Sequence, residues 1–172
     1  MMLNEMEWET MDNIRRLHHA VDRGVDEVSQ SYNDRLQCRS GCHGCCLDGI
    51  TVFQIEADLI REQASTDLRG ASPSPAGCAF LSSDGRCRIY HARPYVCRTQ
   101  GLPLRWHTDL DEELRDICAL NDEVDIMALS PDDCWTLGPI EYQLQRIQRA
   151  KYQALQRIGL RELFMEISSD EP

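Results

Sequence analysis

The chain has 172 residues, nine cysteines and a formal net charge of −11. This length is typical of one domain that can bury a hydrophobic core without disulfide support. The negative charge argues against binding to nucleic acid or to an anionic membrane, because both need a basic surface. Neither a signal-peptide pattern nor an apolar run of membrane-span length is present, so we expect a cytoplasmic protein. Thiols stay reduced there, which favours metal binding or catalysis over disulfides.

The first predicted element is an amphipathic helix over about residues 10–34. Its apolar residues recur at steps of three and four: Ile14, Leu17, Val21, Val25, Val28 and Tyr32. A second helix is predicted at ITVFQIEADLI, where Thr51 and Gln54 fit a capping box. We interpret both helices as packing elements that flank the segment between them.

That segment contains the stretch CRSGCHGCC, which places four cysteines in nine positions: Cys38, Cys42, Cys45 and Cys46. The other residues of the loop are small, polar or charged, so no apolar pattern explains the cysteines as ordinary core residues. Gly41 and Gly44 allow the backbone to fold tightly. Thiolates spaced two and three residues apart in a loop are typical of metal ligands.

A second cysteine-rich segment follows a loop rich in Pro, Ser and Gly. In CAFLSSDGRCRIY, two short strand-like runs flank Ser-Asp-Gly and predict a β-hairpin that brings Cys78 near Cys87. Pro94 then marks a turn before Cys97. Spacing alone leaves these three cysteines open between ligands and buried thiols.

The acidic stretch from 109 to 133 contains ten acids and a single base, Arg115. It lacks the glycine and the ligand spacing of an EF-hand, so we interpret it as a solvated helix face and loop. Cys118, within DEELRDICAL, fits a core cysteine on a helix as well as a ligand, and Cys134 is interpreted as a free thiol.

The last third of the chain predicts a long helix over about 139–158, which Gly159 ends, and a short helix over 160–167. The fold class expected from the whole pattern is mainly α. We predict a single domain over 1–172, in which amphipathic helices surround a loop-rich, cysteine-rich metal centre at about 38–118 with a short β-hairpin.

The two cysteine segments together resemble the zinc- or iron-chelating domain family, the YkgJ-type CxxCxxCC cysteine-cluster proteins. The matching positions in the first segment are Cys38, Cys42, Cys45 and Cys46. Those in the second are Cys78, Phe80, Leu81, Gly85, Cys87, Ile89, Tyr90, Arg93, Pro94, Cys97 and Arg98. The resemblance covers about residues 38–98. It implies about eight metal-binding cysteines, which would make Cys118 the eighth. The family also includes larger flagellin lysine methylases, but this chain lacks their extra length and their activity is not transferred to it.

The identity of the metal depends on how the sulfurs are shared. Three cysteines in one loop plus a distant fourth favour a [4Fe-4S] cluster, with zinc as the alternative. Because successive side chains diverge, Cys45 and Cys46 are expected to serve different ligand positions, and eight sulfurs suffice for two centres. Cys38, Cys42 and Cys45 also match the radical SAM spacing, but Gly44 replaces the usual aromatic residue and the chain is short for that fold.

Two arginines in the second segment, Arg93 and Arg98, are expected to lie next to the metal-binding cysteines without binding the metal themselves. Their positive charges would offset the negative charge of the thiolates. His43 could tune a cluster, whereas His18 is assigned no chemical role and Glu56 no general-base role. No cofactor-binding glycine loop and no nucleophile–base pair are recognisable. We therefore expect a metal-binding protein with an accessory, storage or sensing role. The alternative is a small cluster-dependent redox or group-transfer enzyme. The sequence indicates no protein partner.

Overall fold

The computed structural model describes residues 2–32, 36–38, 41–121 and 123–169, with side chains from residue 9 onward. About 49% of the chain is helical, which confirms the mainly α prediction. The helices are α1 (Met2–Tyr32), α2 (Gln54–Leu68), α3 (Tyr95–Arg98), α4 (Pro139–Tyr152) and α5 (Leu160–Ser169). The strands are β1 (Thr51–Phe53), β2 (Leu104–His107), β3 (Glu113–Asp116), β4 (Trp135–Thr136) and β5 (Arg157–Gly159). Short 3-10 turns occupy Tyr90–Ala92, Ala119–Asn121 and Pro131–Asp133.

The first hydrophobic cluster joins α1, α2 and α4. Its buried members are Ile14, Leu17, Val21, Phe53, Ile55, Leu59, Tyr95 and Leu144. Ile14, Leu17 and Val21 belong to the predicted apolar face of the first helix, which begins earlier than expected, at Met2. This cluster holds the long N-terminal helix against the rest of the chain.

The second hydrophobic cluster joins α2, α5 and the second cysteine segment. The rings of Phe80 and Phe164 meet edge to face, with centroids 5.2 Å apart. Cys78 and Ile89 lie in the same cluster, beside Leu163 and Ile167 of α5. The cysteine-bearing segment is therefore packed directly on the C-terminal helix.

Two small sheets replace helix that the sequence predicts. β1 pairs antiparallel with β5, so that Val52 lies opposite Ile158. Thr51 consequently belongs to a strand, and α2 begins at Gln54 without a side-chain cap, so the capping-box prediction was wrong. The helix α4, which precedes β5, ends at Tyr152 and not at the predicted residue Ile158. It ends there because Gln153 adopts the left-handed conformation with φ 56°.

The acidic stretch also differs from its prediction as a helix face. β2 and β3 form an antiparallel hairpin, and β4 extends it in parallel on the other side of β2. The smaller hairpin predicted around Ser-Asp-Gly is reduced to one isolated bridge between Leu81 and Cys87. Among the described residues, none of the helices combines the length and the hydropathy of a membrane span.

Candidate metal centre

A tight turn in the first cysteine segment brings two thiols into contact. The amide of Cys46 donates to the carbonyl of His43 (2.9 Å), and the amide of Leu47 donates to the carbonyl of Cys45 (3.0 Å). The Cys46 thiol is hydrogen-bonded to the Cys45 sulfur, which lowers the pKa of Cys45 to about 6 and raises the pKa of Cys46. Cys45 thus has the character of a thiolate, stabilised by its neighbour.

The second cysteine segment is docked onto this turn through the backbone. The amide of Cys78 donates to the carbonyl of Cys46 at 2.8 Å. Gly77 permits this approach, because its φ is +68° and a Cβ there would lie 2.7 Å from the Cys46 carbonyl oxygen. On the other side of the turn, the ring of His43 lies against Gly85 and its Nδ1 is 3.0 Å from the carbonyl of Gly41.

Four thiols, which we call the inner thiols, gather around this docked segment: Cys46, Cys78, Cys87 and Cys97. Burial raises the pKa of Cys97 to about 12, and the nearby thiols Cys78, Cys87 and Cys45 add to the effect. Burial likewise raises the pKa of Cys87, again with a contribution from Cys78. The pKa of Cys46 is raised mainly by the hydrogen bond with Cys45 and by burial, and to a smaller extent by Cys78 and Cys87. The inner thiols are therefore electrostatic neighbours from three chain segments.

Three further thiols, which we call the outer thiols, are electrostatic neighbours of one another: Cys38, Cys42 and Cys118. Burial raises the pKa of the Cys38 thiol, and Cys118, Cys42 and Cys45 add to this in turn. The amide of Asn121 donates to the carbonyl of Cys118 at 2.7 Å, which closes a turn beside β3. Cys118 thus comes close to the first cysteine loop, although it lies far from that loop in sequence and follows a strand instead of lying on the predicted helix.

Cys134 stands apart from both sets. Its thiol is buried, with 5% of the residue exposed. Burial raises its pKa, and the groups that modify this shift are Arg115, Arg105, Asp133 and Glu113, with no cysteine among them. That Cys134 is not a metal ligand stays a prediction.

The thiols are neighbours without forming a closed ligand set. Within the part of the chain that the structure describes, no group of three or more His, Cys, Asp or Glu side chains is arranged to hold a metal ion. All nine cysteines are free thiols. The donor set is nevertheless soft and sulfur-rich, which fits zinc or iron–sulfur chemistry and does not fit calcium or magnesium. Binding would require the thiols to close around the metal.

The two arginines expected behind the cysteines have different surroundings. The guanidinium of Arg93 stacks on the Tyr90 ring at 3.8 Å and acts on the thiols of Cys45, Cys87 and Cys97, lowering the pKa of each against the opposing effect of burial. Arg98 instead donates to both carboxylate oxygens of Asp22 on α1, at 2.9 and 2.7 Å. It also donates to the carbonyls of Arg93 and His91.

Three polar contacts involve residues to which no such role is predicted from the sequence. His18 and Glu56 form a buried pair between α1 and α2. Arg161 of α5 donates to Asp48 and to the carbonyl of Gly77, on either side of the docked backbone. Asn121 contacts Cys38 and Gly101. Each contact joins residues far apart in sequence, so no local pattern could reveal it.

Residues 37–119 match the family model CxxCxxCC, described as "Putative zinc- or iron-chelating domain". The match includes the inner and outer thiols together with Cys45, and it excludes Cys134. It confirms the family resemblance seen in the two cysteine segments. No curated protein and no solved structure matches the chain significantly.

Proposed function

We propose that the chain, whose residues 37–119 match the CxxCxxCC family model, holds two metal centres through eight thiols. The outer thiols with Cys45 form one set of four, and the inner thiols form the other. This division assigns the adjacent residues Cys45 and Cys46 to different centres. Their two sulfurs are hydrogen-bonded to each other, so the division requires them to separate when the centres form.

The observation that carries the proposal is the pattern of electrostatic neighbours around the thiols. Burial raises the pKa of Cys38 and the hydrogen bond from Asn121 lowers it. The thiols of Cys118, Cys42 and Cys45 raise it further. The pKa of Cys46, beyond its bond to Cys45 and its burial, responds to Cys78 and Cys87. These couplings support two neighbourhoods that meet at the Cys45–Cys46 peptide, and Cys45 is also a neighbour of Cys97.

The outer set supports a [4Fe-4S] cluster. Its three loop cysteines, Cys38, Cys42 and Cys45, and the distant Cys118 reproduce the arrangement of three ligands in one loop and a fourth elsewhere. When bound, such a cluster supplies one-electron redox chemistry or a response to iron supply. The inner set, once closed around a metal, would be a four-thiolate site of the kind that holds structural zinc or a second cluster.

We propose an accessory, storage or sensing role for these centres. An open cleft of about 810 Å³ lies between α1 and α4, Leu17 and Ile147 are among its lining residues, and none of the described residues that line it is a cysteine. This cleft is not lined by the thiols and is not assigned to the centres. The nine free cysteines are consistent with a reducing compartment, for which we propose the cytoplasm.

The proposal is tested by purification without oxygen, followed by analysis of iron, acid-labile sulfide and zinc per chain. We expect a brown protein with iron and sulfide, and with visible absorption that bleaches on reduction. A colourless protein that contains only zinc after the same handling would exclude the cluster while leaving metal binding intact. A protein without bound metal, and without uptake on reconstitution, would refute metal binding itself.

A further inference from the structure

Asn121 is a buried amide at the edge of the outer thiols, just beyond the end of the family match. Only 1% of the residue is exposed. Its Oδ1 atom accepts a hydrogen bond from the amide of Gln37 at 2.7 Å. Its Nδ2 atom donates to the carbonyl of Gly101 at 2.8 Å and faces the Cys38 sulfur at 3.6 Å. These partners fix which end of the amide is oxygen and which is nitrogen.

The same residue also holds the backbone around the outer thiols. Its main-chain amide donates to the carbonyl of Cys118 at 2.7 Å, and its carbonyl accepts from Val124 at 3.1 Å. Asn121 therefore touches both chain segments that supply outer thiols, one through its side chain and the other through its backbone.

Gly101 leaves the space that the Cys38 sulfur occupies. Its φ is +96°, and a Cβ at this position would overlap Cys38 Sγ. The sulfur is thus placed between a glycine that leaves room for it and an amide that offers it an N–H group. A hydrogen bond from an N–H to a metal-bound thiolate orients the ligand and withdraws charge from the sulfur.

We propose that Asn121 is a positioning residue of the outer metal centre, which aims the Cys38 thiolate and donates a hydrogen bond to its sulfur. The inference rests on the proposed function, because it requires Cys38 to be a ligand. It assigns to Asn121 a role in metal affinity and in the electronic properties of one centre only. Among the described residues, the hydrogen bonds of this side-chain amide go to Gln37, Cys38 and Gly101 and not to an inner thiol.

The test uses Co²⁺ as the probe, added anaerobically to the reduced, metal-free full chain. The absorption from thiolate-to-cobalt charge transfer reports each equivalent bound. In Asn121→Asp the acceptor oxygen for Gln37 is kept and both N–H donors are lost. We expect the affinity of one Co²⁺ equivalent to fall about 10- to 100-fold, the range typical when a partner of a metal ligand is removed. The charge-transfer band of that equivalent should move to lower energy, and the other equivalent should be unchanged.

A matched control is Asn13→Asp, the same chemical change at an exposed position on α1, which should leave both equivalents as in the natural sequence. A second variant, Asn121→Ser, avoids a buried carboxylate and should weaken the same equivalent. The inference is overturned if both variants bind Co²⁺ with unchanged affinity and spectrum, or if both lose the two equivalents together. A natural chain that shows no thiolate–cobalt band would refute the proposed function, and is thereby distinguished from failure of the role of Asn121.

Discussion

The Nε2 atom of His18 lies 3.1 Å from the Oε1 atom of Glu56, and 4% and 3% of these side chains are exposed. The same carboxylate oxygen accepts the backbone amide of Tyr95 at 2.7 Å. One buried carboxylate thus joins α1, α2 and α3. Because Cys97 lies on α3 with Tyr95, this contact links the N-terminal helix to an inner thiol.

Replacing Glu56 should therefore destabilise the fold well beyond an ordinary surface change. Glu56→Ala leaves the Tyr95 amide and the His18 ring without their acceptor, at a cost of about 1–3 kcal/mol for each buried group left unpaired. Glu56→Gln keeps an acceptor oxygen and should lose less. Glu62→Ala is the matched control on α2, since Glu62 forms an exposed pair with Arg15 and such pairs contribute at most about 1 kcal/mol. Urea unfolding of the reduced proteins measures all three, and equal losses for Glu56→Ala and Glu62→Ala would contradict the expectation.

Arg161 should control the docking of the two cysteine segments. Its Nε lies 2.9 Å from each carboxylate oxygen of Asp48, and its NH2 group lies 3.1 Å from the carbonyl oxygen of Gly77. We expect Arg161→Ala to speed proteolysis within 41–49 and 74–78 in metal-free protein. The free energy of unfolding should change little, since the ion pair is partly exposed.

The matched control is Arg16→Ala, which breaks an exposed ion pair with Asp12 within α1. It should leave the cleavage pattern of the cysteine segments unaltered. If Arg161→Ala and Arg16→Ala give the same fragments at the same rate, Arg161 does not fasten these segments.

Arg93 and Arg98 should respond differently to the same substitution. Removal of the positive charge in Arg93→Gln should weaken metal binding at the inner thiols about 10- to 100-fold, as for other partners of metal ligands. Arg93→Lys keeps the charge and should recover part of the loss, although lysine does not stack on Tyr90 as a planar guanidinium does. Competition with a chelator measures both affinities.

Arg98→Gln serves as the comparison, because its guanidinium is bound to Asp22 on α1. This variant should lower the free energy of unfolding and leave the affinity of folded protein for metal unchanged. A loss of affinity equal to that of Arg93→Gln would show that both arginines act on the thiols.

Cys118 and Cys134 offer the sharpest test of the ligand set. Serine is a poor ligand for soft metals, so Cys118→Ser should empty the outer centre and leave the inner one filled. Cys134→Ser should retain full metal content and change stability by no more than about 1 kcal/mol, because Cys134 lies outside the family match and its pKa responds to Arg115, Arg105, Asp133 and Glu113. Metal analysis of the anaerobically purified variants shows whether Cys118 or Cys134 is the eighth ligand. Metal loss in Cys134→Ser with full content in Cys118→Ser would require another assignment of the eighth ligand.

Local sequence patterns predicted the helices and the cysteine segments. The strands and the position of Cys118 were not predicted, because they depend on contacts between residues far apart in sequence. The apolar face of α1 is visible in the spacing of Ile14, Leu17 and Val21, because each turn of a helix repeats it. Val52 and Ile158 gave no comparable signal, since each became part of a strand only by pairing with the other. The approach of Cys118 to Cys38 likewise depends on the hairpin of β2 and β3, which brings distant segments together.

The two hydrophobic clusters predict where the protein loosens when metal is removed. Metal bound only by the native state adds its binding free energy to stability, so its removal weakens the region that it joins. The inner thiols Cys78 and Cys87 lie within or against the cluster that contains Phe80 and Phe164, whereas the α1–α4 contacts belong to the other cluster. We expect amide hydrogen exchange to rise most in residues 41–49 and 74–97, next in α5, and least in α1 and α4. Because α5 packs on Phe80, its response should follow that of the cysteine segments. Equal protection with and without metal throughout 41–97 would mean that no centre joins these segments.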